Sequence, residues 1–148
     1  AMWLRKAARL RDVPGLQMLG NPAAARLPIL SFRIRDGRGG FVHQQLATRM
    51  LSDLHGVQAR GGCACAGPYV HRLLGIGAAE SRRLRTAILR GDEIEKPGFV
   101  RLNLCWAAPE AEIDAILSAM TDLARHAAEH LHRYRCDPAT AIFTPVAA

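Results

Sequence analysis

Only two of the twenty basic residues in this sequence are lysines, Lys6 and Lys96. Amine chemistry therefore has two candidates: one in a basic amphipathic start, the other just before Pro97 where a strand begins. No glycine-rich turn opens a helix directly after a strand, so the pattern of a phosphate cradle is missing. Aromatic residues make up 5% of the chain and do not interleave with the arginines, which excludes a base-stacking platform. The net charge of +7 and the isoelectric point near 10.1 invite a nucleic-acid reading. The arginines are scattered, however, and the densest set, Arg82, Arg83, Arg85 and Arg90, shares an expected helix with Glu80 as a solvated face. Neither nucleic acid nor membrane is an expected partner, since no apolar run reaches spanning length. No secretory pattern is visible, so the expected location is the cytoplasm and Cys63, Cys65, Cys105 and Cys136 are expected as reduced thiols. Cys63 and Cys65 are half a zinc site with no convincing second pair, and His126 and His130, four apart on a helix, are read as surface histidines; no metal is expected.

The 148 residues, 49% hydrophobic, suit a single small domain, 1–148. A basic helix over 1–12 leads in, broken at Pro14-Gly15. Strands are expected at 16–19, 28–35, 57–60 and 99–106, with Ile29, Phe32 and Ile34 buried in the second and Val100, Leu102 and Leu104 in the last. Helices are expected at 42–54, 68–74, 78–90 and from Ala108 onward. The first carries Val42, Leu46, Met50 and Leu54 as a stripe and stops at Gly56; the last carries Ile113, Ile116, Leu117, Met120, Leu123 and Ala124. Residues 136–148 read as an irregular tail in which Ile142-Phe143 docks on the body. The mixture predicts an α+β fold, a small and mostly antiparallel sheet with helices packed on one face.

The segment Gly56 to Pro68 carries the chemistry. Arg60 stands before Gly61 and Gly62; Cys63 and Cys65 follow, then Gly67-Pro68. A guanidinium fork matches two carboxylate oxygens at once, and glycines let backbone and ligand approach closely. Spacing alone leaves Arg60 as a carboxylate anchor or a surface arginine. It leaves Cys65 as a nucleophile or a small buried residue, and Gly61 and Gly62 as a positive-φ turn or a substrate approach. His71, after the loop, is a possible lining residue or a helix-surface histidine; Asn103 and Trp106 are read as structural, on or beside a core strand.

Arg60, Gly62, Cys65, Ala66 and Pro68 resemble the substrate loop, Arg-x-Gly-x-x-Cys-Ala-x-Pro, in the small C-terminal domain of class V aminotransferases, the group that contains cysteine desulfurases and selenocysteine lyases. Leu27 to Phe32 is similar to the family's first small-domain strand, His43 to His55 to the helix before the loop, Lys96 to Asn103 to a later strand, and Ala108 to Leu123 to the closing helix, so the resemblance runs from about Leu10 to about Leu131. It implies that Arg60 holds a substrate α-carboxylate and that Cys65 accepts sulfur; Cys63 stands where desulfurases often carry histidine. It also implies pyridoxal phosphate as cofactor, but the family's larger domain, with its Ser-x-His-Lys lysine and phosphate site, has no counterpart in these residues.

The expected function is thus that of a substrate-binding domain that orients an amino-acid substrate through Arg60 and is inactive without a large pyridoxal-phosphate domain on a separate polypeptide. The alternatives are a stand-alone homodimeric or regulatory module and a sulfur carrier using Cys63 and Cys65.

Overall fold

The computed structural model describes residues 2–62 and 67–146. The elements follow in the order α1 (Met2–Ala8), β1 (Leu16–Met18), β2 (Ile29–Ile34), α2 (Gln44–His55), β3 (Arg60–Gly62), α3 (Gly67–Leu74), α4 (Ala78–Leu89), β4 (Phe99–Asn103), α5 (Glu110–His130), β5 (Tyr134–Asp137) and β6 (Ile142–Pro145). The first four strands form an antiparallel sheet in the order β1-β2-β4-β3, and β5 and β6 form a separate hairpin. The fold is α+β.

Strand side chains alternate between the two sheet faces, and here one face takes nearly all the apolar ones. Leu30, Phe32 and Ile34 of β2 and Val100 and Leu102 of β4 are buried with Leu104, beneath Met50 and Leu51 of α2 and Met120 and Leu123 of α5. Ile29 is not part of this set and is 39% exposed. The expected triplet of Ile29, Phe32 and Ile34 breaks the two-residue period; counting back from Phe32 lands on Leu30. On the opposite face Phe99, Leu19 and Val70 form a small second cluster, so α3 covers one corner there while the main helical layer lies on the first face.

Each helix of the main layer has a local cause. Glu110 and Glu112 lie in the first turn of α5 and complement its N-terminal dipole. Its inward residues, Ile113, Leu117, Met120, Leu123, Ala124 and Ala127, recur at helical spacing. Gly56 ends α2 at φ +66°, donating its N–H to the Leu51 and Ser52 carbonyls. Ala7 and Leu10 of the leading segment are buried in the same core, and Lys6 pairs with Glu110 (2.7 Å) and Asp114 (2.6 Å) of α5.

The tail is not irregular. Asp137 folds the chain over between β5 and β6: its carboxylate accepts from the Ala139 N–H (3.0 Å) and the Thr140 hydroxyl (2.8 Å). The four-residue strands are too short for their alternation to stand out in the sequence. Phe143 docks as expected, its ring 5.3 Å from that of His43, while Ile142 stays 58% exposed.

His43 joins this contact to α2. Its Nδ1 accepts the Gln45 N–H at 3.3 Å and caps the helix. Burial pushes the imidazole pKa below its ordinary value. A folded-state pKa lower than the unfolded one means that the fold prefers the neutral ring. Its contribution is complete above the unfolded value, about 6.5, and is lost as pH falls through the folded value. Denaturant melts should show stability declining on acidification below about pH 6.5. In His43→Asn, which keeps a capping acceptor without a titrating ring, the decline over that range should be shallower.

Candidate functional site

The open face of the sheet is built by register. Ser31 lies opposite Arg101, and Arg101 lies opposite Arg60, so the two arginines are direct cross-strand neighbours on the solvent side. They line a groove of about 300 Å³ together with Ile29, Gln58, Ala59, Leu102 and Asn103. Like charges directly opposite one another disfavour a sheet pair, and among the described residues neither guanidinium has an ion-pair or hydrogen-bond partner. Nearby Arg33 differs: it donates to Gln17 Oε1 at 2.9 and 2.7 Å and lies over the Phe41 ring at 3.7 Å, with Arg35 over the same ring at 4.4 Å. Burial, and then the charge of Arg35, lower its pKa.

Arg60 opens β3 rather than closing a strand over 57–60, and the two glycines belong to the strand itself. They serve different ends. Gly62 has φ +127°, in the region that favours glycine. Gly61 does not have a positive φ. Its hydrogen leaves room for the start of α2, because a Cβ there would lie 2.7 Å from the Gln44 carbonyl oxygen and 3.2 Å from the Gln45 nitrogen. Gln44 is itself buried and donates to the Lys96 carbonyl at 3.1 Å. A Cβ on Gly98 would meet the Gly62 backbone at 2.8 Å. The arginine-bearing strand is therefore wedged between the N-terminus of α2 and the chain entering β4.

Cys63 and Cys65 lie outside the described residues. His71 donates through Nδ1 to the Gly67 carbonyl one turn earlier at 2.8 Å and does not line the groove. Asn103, read from sequence as structural, is exposed at the groove rim. Trp106 lies beyond the end of β4 and is 88% exposed, which removes it from any core role. Arg101 was missed because its significance is its partner across the ladder. The alternation of Val100, Leu102 and Leu104 marks it as outward but cannot say what stands beside it.

No protein-family model matches the chain, and no curated protein matches it.

Both lysines stand away from this groove. Hydrogen bonds that Lys6 donates to Asp114, and then to Glu110, raise its pKa and hold it as an ammonium, a poor nucleophile. Lys96 is paired with Glu93. Cys105 is exposed and Cys136 half-buried, with burial raising the pKa of the latter's thiol. Among the described residues no three His, Cys, Asp or Glu side chains converge as a metal site, and no helix is long and apolar enough to cross a membrane.

Proposed function

We propose that this chain is a substrate-binding domain that holds the carboxylate of an amino-acid substrate on Arg60, with Arg101 beside it, in the manner of the small domain of class V aminotransferases. The observation that carries this reading is the cross-strand pair of arginines facing a small groove, without acidic partners among the described residues. A planar fork with fixed donors suits a carboxylate, and a strand wedged in place by glycine packing holds the fork in position. The residues described do not fit pyridoxal phosphate: one lysine is held protonated by two carboxylates, the other is paired, and neither lines the groove. Catalysis in this reading needs a further domain that brings the cofactor.

The reading is tested on the purified chain by following backbone amide NMR shifts during titration with L-alanine. Shifts should concentrate in 60–62 and 99–103, and Arg60→Gln should weaken binding at least about tenfold, the scale of one charge-assisted hydrogen-bonded contact. Added pyridoxal phosphate should show no absorbance change that depends on Lys6 or Lys96. No shifts with L-alanine, or an undiminished affinity in Arg60→Gln, would remove Arg60 from the role.

A further inference from the structure

The groove holds more positive charge than one carboxylate can neutralise. Guanidinium groups stay protonated at any working pH, so Arg60 and Arg101 place two fixed positive charges side by side on neighbouring strands. Among the described residues no acid pairs with either, and residues 63–66, Cys-Ala-Cys-Ala, bring no acidic side chain. A monoanion leaves one of the two charges uncompensated. A dianion removes their mutual repulsion altogether, and the groove's shape limits which dianion fits. On the same open face Ile29 offers aliphatic contact along a short carbon chain, while Gln58 and Asn103 offer amide donors at its sides; the Leu102 side chain turns into the core. A bare phosphate has no use for the aliphatic contact of Ile29, and a volume of about 300 Å³ is ample for a four- or five-carbon diacid.

We infer that the ligand of this groove is a short-chain dicarboxylate, an acidic amino acid or its oxo-acid counterpart, with one carboxylate on Arg60 and the other on Arg101. The inference rests on the carboxylate reading of Arg60 and adds the second anchor and the substrate class. Arg101 becomes the specificity-determining residue: Arg60 recognises any carboxylate, and Arg101 distinguishes diacids from monoacids.

The test compares succinate with butyrate, which share four carbons and differ by one carboxylate, by amide NMR titration of the chain at fixed ionic strength, with inorganic phosphate as a third probe. Succinate should bind at least about tenfold more tightly than butyrate, and more tightly than phosphate. Arg101→Gln should bring succinate down to the level of butyrate while butyrate binding persists, and Arg101→Lys should keep part of the preference. Arg85→Gln, which removes the same charge from exposed α4, should leave the ratio unchanged and so separates local recognition from net charge. Equal binding of succinate and butyrate would overturn the dicarboxylate assignment and leave the carboxylate reading standing. Phosphate binding as tightly as succinate would overturn it in favour of a single doubly charged oxyanion. No binding of any probe would overturn both. Loss of the folded spectrum in Arg101→Gln moves the decision to Arg101→Lys, for which an undiminished succinate preference would remove Arg101's fork from the assignment and a reduced preference would support it.

Discussion

Gly15→Ala is expected to lower the stability of the fold by about 2–5 kcal/mol, combining left-handed backbone strain of about 1–2 kcal/mol with overpacking of about 1–3 kcal/mol. Gly15 sits at φ +82° in the turn between the leading helical segment and β1, and its carbonyl accepts from the Arg35 N–H at 2.8 Å. A Cβ there would lie 2.3 Å from the Ala124 carbonyl oxygen. That oxygen belongs to the backbone of α5, so relief requires moving a helix rather than turning a side chain. Gly20 is the control: its φ is +91°, yet a Cβ would meet nothing within 4 Å. Gly20→Ala should therefore cost only the conformational part, about 1–2 kcal/mol. Urea melts of both variants separate the two contributions, and equal losses would show that the approach of α5 to this turn does not matter.

The second large effect is expected at Phe32. This ring is fully buried, in a strand paired to both sides, opposite Met18 on β1 and Val100 on β4. Phe32→Ala should cost about 3–5 kcal/mol, the usual loss for truncating a large core aromatic. Domains of ordinary stability hold only about 5–15 kcal/mol in total, so the variant should unfold at much lower urea and show reduced cooperativity on heating. Ile29→Ala, three residues earlier on the exposed face, should change stability by less than about 1 kcal/mol. Comparable losses at the two positions would contradict the assignment of the strand's inward face.

Features set by near neighbours were legible in the sequence. The stripe on α5, the glycine stop of α2 and the outward arginines of α4 all follow from periodicity or backbone preference within a few residues. What could not be read depends on partners far along the chain. Ile29 looks as apolar as Leu30, and only the pairing with β4 decides which of them faces α2. Gly61 looks like a turn glycine, whereas its role is to admit the backbone of α2. The hairpin formed by β5 and β6 has strands of four residues with charged neighbours, too short to register as alternation. Half of the candidate site was legible for the same reason: Arg60 announced itself by its loop, while Arg101 acquires meaning only through the ladder that places it opposite.

That ladder also ties any binding at the arginine pair to folding. The two guanidinium groups come from positions about forty residues apart, with α3 and α4 between them, and they become neighbours only once β3 has paired with β4. Contacts this distant in the chain require loop closure before they reward it, so a partly folded chain has one arginine or the other but no paired site. Any molecule that uses both must bind the native state alone, and it raises the melting temperature in proportion to the logarithm of its concentration once its dissociation constant is exceeded. The thermal transition is therefore itself a detector for the ligand proposed for the groove, usable without an assay for any reaction.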